Sequence, residues 1–213
     1  MGDIVTLALP KGRLLDPSIA LLKKIGLNRP DLTADTRKLL FDEGKDGVRL
    51  VIVRAVDVPT YVEYGAADMG IAGLDFLMEQ DRDVYEPLDL RFGVCRLVVA
   101  RPKKEDESFR STASKLRIAT KYPRMTEHFF SQKGRSVEII KLSGAIELAP
   151  LVGLADRIVD LVTTGKSLRE NNLVEEAVIA ESTAQLIVNR ASLKTKTAAI
   201  TALVDRIRKA VEG

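Results

Sequence analysis

The sequence predicts an α/β protein with a largely parallel sheet, arranged as two lobes with a ligand cleft between them. Short β-rich runs alternate with helical segments along most of the chain, as in strand–helix–strand units. The alternation lapses after Ala72 and restarts at Cys95, so two such clusters share one chain. The length of 213 residues fits one or two domains at roughly 150 residues each. A chain of this size buries about 70% of the surface it exposes when unfolded, enough for two cores.

In the first cluster, Val5 to Leu9 is an apolar run ending at Pro10 and reads as a strand. Asp16-Pro17 opens a helix, with Asp as N-cap and Pro at the first helical position. Ile19, Leu22 and Ile25 give that helix its apolar face, and Gly26 stops it. Leu50 to Val53 is a second strand. Asp57-Val58-Pro59 begins a helix that ends at Gly65, and Met69 to Ala72 is a third strand flanked by Gly70 and Gly73.

In the second cluster, Cys95 to Ala100 is a strand, and the polar stretch from Arg101 to Ser114 is a solvated loop. Leu116 to Thr120 and Val137 to Lys141 are strands on either side of a helix from Arg124 to Gly134. Ser143 to Gly153 reads as a helix made irregular by Pro150, and Ile158 to Val162 is the strand that leads into Thr163-Thr164-Gly165-Lys166-Ser167. The tail from Thr195 to Glu212 is an amphipathic helix, with Ile200, Leu203, Val204, Ile207 and Val211 on one stripe.

Composition narrows the function classes. Charged residues make up 30% and hydrophobic ones 46%, with a net charge of only +3, which excludes a disordered or fibrous chain. Aromatics are 5% and no basic stripe is present, so nucleic acid is not the expected partner. No apolar run approaches the roughly 18 to 20 residues needed to span a bilayer, and no signal peptide precedes Val5. Cys95 is the single cysteine. No disulfide joins the chain to itself, which fits a cytoplasmic protein, and Cys95 is expected to be buried and inert. His128, the sole histidine, is assigned a structural place. No metal-ligand spacing is present. Asp42, Glu43 and Asp46 read as solvated acids in a Gly-rich turn.

Chemistry concentrates in residues 158 to 168, I-V-D-L-V-T-T-G-K-S-L. A strand carrying Asp160 delivers the chain into a turn of small residues that opens a helix. Small residues let backbone N–H groups converge, and a helix N-terminus favours an anion. Thr163, Thr164 and Ser167 add hydroxyls. A carboxylate accepts two hydrogen bonds at once, which suits a ribose diol, so a sugar phosphate is the natural ligand. The Gly165-Lys166-Ser167 end of a Walker A loop needs glycine at position 160, where Asp stands, so a P-loop NTPase is excluded. Taken alone, the acid and turn fit a plain strand–loop–helix junction equally well.

The wider segment runs from Glu147 through Gly153, Ala155, Ile158, Asp160, Thr164 and Gly165 to Ser167-Leu168. It resembles the signature of the ATP phosphoribosyltransferases, which open histidine biosynthesis, and departs from it only at Ser167, where the family has Thr. The resemblance extends through Leu9-Pro10-Lys11-Gly12-Arg13-Leu14, Thr36-Arg37-Lys38-Leu39, Arg54, Asp57 to Tyr61, the glycines and aspartate of residues 65–73, and Arg117 to Pro123.

That resemblance implies a two-lobed fold like a type II periplasmic binding protein, with lobe 1 as 1–93 plus 176–213 and lobe 2 as 94–175. It implies transfer of the 5-phosphoribosyl group of 5-phosphoribosyl 1-pyrophosphate (PRPP) to N1 of ATP, with release of pyrophosphate. Glu147 and Asp160 are then the groups for the ribose hydroxyls, and Thr163, Thr164, Gly165, Lys166 and Ser167 hold the 5′-phosphate. Arg13 and Arg37 act as catalytic cations at the leaving group. Lys11, Arg54, Gly73 and Asp75 face ATP, with residues 70–75 as the adenine pocket. Arg54 equally fits an anchor for the next helix, and Arg37 a surface ion pair. Mg²⁺ arrives on the substrate phosphates. The family's short form, which lacks the C-terminal regulatory domain, further implies a regulatory subunit related to histidyl-tRNA synthetase. It also implies a catalytic dimer within a hetero-octamer, and no direct feedback by histidine on the chain alone. Two rivals are a solute-binding protein of the same fold and a phosphoribosyltransferase acting on a free base.

Overall fold

The computed structural model describes residues 3–33, 35–42, 44, 46–104 and 115–213. In chain order the elements are β1 (Val5–Lys11), α1 (Leu15–Lys24), β2 (Leu40–Phe41), β3 (Val48–Arg54), a 3₁₀ turn (Ala55–Asp57), α2 (Val58–Glu63), β4 (Met69–Gly73), α3 (Leu74–Gln80) and β5 (Tyr85–Asp89). There follow β6 (Cys95–Pro102), β7 (Leu116–Thr120), α4 (Pro123–Gln132), β8 (Val137–Lys141), α5 (Leu148–Leu151), β9 (Arg157–Val162), α6 (Lys166–Glu170) and β10 (Leu173–Ser182). The chain closes with β11 (Ala184–Val188), α7 (Arg190–Thr195) and α8 (Thr197–Glu212). It divides into two units, one of residues 1–94 and 183–213, the other of Cys95–Ser182. The return to the first unit therefore falls after Ser182 rather than after residue 175. The reason is that β10 pairs with β6 along its whole length, from Leu173↔Pro102 to Ser182↔Cys95.

The first unit is built on a six-stranded sheet of order β2-β3-β1-β4-β11-β5. Alternation along β1 sorts its side chains to two cores. Val5, Leu7 and Leu9 pack with Leu22, Leu50, Ile52, Leu203 and Ile207 on one face, while Ala8 joins Val58, Val62, Ala72 and Ile187 on the other. The C-terminal stripe is thus core packing. Buried Asp68 ties this helical layer to the sheet. Its carboxylate accepts from Thr6 N–H at 2.8 Å and from Lys196 Nζ at 2.9 Å, and Lys196 Nζ also donates to the Ile4 carbonyl at 2.8 Å.

The second unit holds a five-stranded sheet of order β10-β6-β9-β7-β8. Val98, Ala119, Ile146, Ile158, Leu168 and Leu173 form its core. Strands β9, β7 and the edge strand β8 are parallel, whereas β6 runs antiparallel to both β9 and β10.

Several expectations are corrected. The sheets are mixed, because β2, β5, β6, β10 and β11 each pair antiparallel to a neighbour. Strand β1 continues through Pro10, which stands opposite Val53. Strand β4 pairs with β1 only at Leu7 and Ala8, so no ladder bond is asked of the missing N–H on that side. Helix α1 starts at Leu15, which puts Asp16 in the first turn rather than at the cap. The helix foreseen for 143–153 shrinks to α5, between Ala145 at φ +48° and Gly153 at φ +73°. The tail helix is present as α8 but starts at Thr197 rather than Thr195, because Lys196, at φ −122° with its ammonium drawn to Asp68, separates it from the short α7 before it. Asp46 is no free acid: it accepts two bonds of 2.8 Å from Arg29, whose charge and donors hold it below the usual carboxylate range. Glu43 and most of the 101–114 loop lie outside the described residues. Among the described residues no helix is long and apolar enough to cross a membrane.

Candidate active site

Strand β9 is the central support of the second unit's site. It places Asp160 near its C-terminal end and hands the chain to residues 163–165, where Gly165 sits at φ +70° and caps α6. A β-carbon there would stand 3.1 Å from Arg169 Nη1. That guanidinium spans the turn by donating to the Thr164 carbonyl at 3.0 Å. Glu147 stands at the N-cap of α5 and accepts a hydrogen bond from the Ser167 hydroxyl. These residues surround one cavity of about 400 Å³, lined by Glu147, Asp160, residues 161–168 and Glu170. Every PRPP-site residue expected from the sequence lines it. The volume is within the ordinary range for a small-molecule pocket.

The two carboxylates of this pocket are pushed in opposite directions. Burial raises Asp160 above the usual range, and nearby Glu147 adds to the rise; Lys121 and the Leu161 N–H, bonded at 2.8 Å, oppose it. Glu147 is lowered, first by the Ser167 hydroxyl, which outweighs its own burial, and further by Lys121. Such divergence between paired acids is a mark of functional sites. Helix α6 is a single turn of five residues, so the macrodipole expected from the sequence is minor here. Anion donors in this pocket are the local N–H groups and the hydroxyls of Thr163, Thr164 and Ser167. Lys166 is exposed and lies 3.7 Å from Glu170.

The other candidate residues belong to the first unit. Lys11 and Arg54 end the neighbouring parallel strands β1 and β3 and stand opposite each other in register. Gly73 ends β4, the next strand over. Arg13 follows β1, is exposed, and donates to the Gly93 carbonyl at 2.5 Å. Arg37 is exposed and precedes β2, which runs antiparallel to β3, so it enters from the same end. These groups therefore share the C-terminal edge of the parallel strands, the usual ligand edge of an α/β sheet. Asp75 differs from the rest: it is 2% exposed, and its carboxylate folds so closely over Gly73 that a β-carbon there would lie 2.2 Å from Oδ1.

Lys121 was not singled out among the site residues by the sequence, although its charge reaches both Asp160 and Glu147. The available signal was its place directly after a strand parallel to the one that carries Asp160. Cys95 is buried and forms no disulfide. His128 is exposed on α4 with Nε2 2.8 Å from Gln132 Nε2. Among the described residues no group of three or more His, Cys, Asp or Glu is placed to hold a metal ion.

Comparison with known proteins bears on the family and the fold. The sequence model of the HisG family, ATP phosphoribosyltransferase, matches residues 54–209. An ATP phosphoribosyltransferase of Geobacter metallireducens is 58% identical over 214 residues, covering 99% of this chain and all of that protein. The solved ATP phosphoribosyl transferase (HisG:HisZ) complex from Thermotoga maritima contains a chain that is 36% identical, with a TM-score of 0.83 and 98% of each chain covered. The periplasmic aliphatic sulphonate binding protein SsuA from Escherichia coli shares the fold at 11% identity, with a TM-score of 0.60 over 99% of this chain and 73% of that one. That likeness bears out the type II periplasmic-binding-protein-like architecture. With its signature residues gathered around one pocket and its relatives matched from end to end, this chain belongs to the ATP phosphoribosyltransferase family.

Proposed function

We propose that this chain transfers the 5-phosphoribosyl group of PRPP to N1 of ATP, releasing pyrophosphate, as the first step of L-histidine biosynthesis. The observation that carries this is the pairing of Asp160 and Glu147 with the Thr163–Ser167 turn in one cavity. The 5′-phosphate takes the local N–H groups and hydroxyls of that turn. The ribose 2′- and 3′-hydroxyls donate to Asp160 and Glu147. The Ser167 hydroxyl now donates to Glu147; a ribose hydroxyl takes that place and frees Ser167 for the phosphate.

Adenine N1 attacks ribose C1 as the bond from C1 to the pyrophosphate oxygen breaks. Positive charge grows on the ribose and negative charge on the leaving group, so the chemistry needs fixed cations at the pyrophosphate. Arg13 and Arg37 are assigned that task, with Lys11 and Arg54 beside them at the strand ends and residues 70–75 toward the adenine. N1 is neutral in ATP, so no general base is required. Mg²⁺ belongs to the substrate here, carried by phosphate oxygens and water, as suits a hard cation that keeps its waters.

The same reading assigns the chain to the cytoplasm and to a complex with a regulatory subunit, a two-component arrangement supported by the HisG:HisZ complex of Thermotoga maritima. The reading includes catalytic dimers within a hetero-octamer. A solute-binding role shares the fold but does not call for a ribose-phosphate signature, and fold alone does not choose between them. Titration calorimetry tests the proposal: Asp160→Asn should bind PRPP far more weakly and ATP about as before. Equal PRPP affinity would remove Asp160 from the ribose.

A further inference from the structure

Lys121 is the first residue beyond β7. The parallel register of β7 on β9 pairs Thr120 with Val159, and the Thr120 hydroxyl donates to the Val159 carbonyl at 2.8 Å. One step further along the two strands come Lys121 and Asp160, at the ligand edge of the sheet. The backbone around Lys121 is held on both sides. Tyr122 N–H donates to Thr120 Oγ1 at 2.8 Å, and the Tyr122 side chain is only 2% exposed. Lys121 itself is exposed, so a fixed backbone presents a solvated cation one strand over from Asp160.

We propose that Lys121 is a positioning residue of the ribose-phosphate site, its ammonium offsetting the paired carboxylates of Asp160 and Glu147 so that both accept ribose hydroxyls while a polyanionic substrate lies against them. This rests on the reading of the pocket as a PRPP site. Without a cation, two acids and a phosphorylated ligand would crowd like charge into one half-buried space. The groups bearing on Asp160 are few. Glu147 faces it from α5 and raises its affinity for a proton, whereas Lys121 from β7 and the Leu161 N–H lower it. From β6 the residue in register is Val98, which carries no charge. On α6, Lys166 is near Glu170, and the 163–165 turn carries no charged side chain.

The test is calorimetric titration of PRPP into the full-length chain from about pH 5 to pH 8, comparing wild type, Lys121→Met and Lys121→Arg. Lys121→Met should weaken binding about tenfold at neutral pH, where the substrate loses a cation, and should separately move the acidic loss of affinity up by about one pH unit, where the carboxylates lose it, each shift being about the size of one lost charge interaction. Lys121→Arg should restore both. An unchanged affinity and acid limb in Lys121→Met would overturn the inference, as would weaker binding with an unmoved limb, which would make Lys121 a simple phosphate contact. A wild-type chain that binds no PRPP would overturn the reading of the pocket itself.

Discussion

Asp160 combines two properties that pull against each other. Its carboxylate must be ionised to accept ribose hydroxyls, yet burial resists ionisation and holds it above its ordinary range. A carboxyl raised in the folded state costs stability once pH exceeds its folded pKa, and the cost fades as pH falls toward the unfolded value. Asp160→Asn should therefore raise the thermal midpoint at neutral pH while it weakens PRPP binding; a lower midpoint would contradict the burial argument. For Arg13, exposed after β1, truncation to Ala should lower kcat by about 10²- to 10³-fold, as loss of one transition-state donor does. A fall under about threefold would sink that role. The place of Asp160 beside the 163–167 turn was legible in the sequence, because a motif fixes residue type and spacing. Lys121 was not, since its neighbourhood to Asp160 depends on which strand pairs with which. Asp46 was misread for the same reason: Arg29 lies far from it in sequence but within 2.8 Å in space.

At the scale of elements, the turn from β9 into α6 depends on Gly165. Its φ of +70° disfavours any side chain, and a β-carbon would also press on Arg169 at 3.1 Å. Gly165→Ala should cost about 1–2 kcal/mol of local strain and cut PRPP affinity, measured by calorimetry, while leaving ATP affinity intact. Unchanged PRPP binding would show that the turn geometry does not matter. Short strands rich in aliphatic residues, such as β7 and β8, are readable to the residue. Strand β10 escaped notice, because Glu175 and Glu176 interrupt it and two register shifts break its alternation. Strand β11, Ala184–Val188, is buried throughout, so it lacks the two-residue period that marks a half-exposed strand. Its short Leu-Ile-Val run was the one signal available. Helix α5 is shorter than the sequence predicts: residues 143–153 read as a helix made irregular by Pro150, but the backbone at Ala145 and Gly153 confines it to one turn.

At the scale of the molecule, the chain leaves the first unit after Val94 and returns at Thr183, so lobe 2 is an insertion within lobe 1. The restart of the strand pattern at Cys95 exposed the outward crossing, whereas the return was hidden inside β10. Each unit brings its candidate residues to the C-terminal edge of its parallel strands: Lys11, Arg54 and Gly73 in one, Asp160 and Lys121 in the other. The architecture is shared with sulphonate-binding proteins, so it does not by itself separate an enzyme from a binder. The separation rests on chemistry. A binder holds PRPP intact, whereas the transferase breaks the bond from C1 to pyrophosphate only when a nucleophile is offered. The most direct measurement is pyrophosphate release from PRPP and Mg²⁺ by the purified chain, with ATP, with adenine, and with neither. The account predicts release that requires ATP. Release with adenine in its place would indicate a free-base phosphoribosyltransferase, and binding of PRPP without release under any condition, regulatory subunit included, would contradict the account.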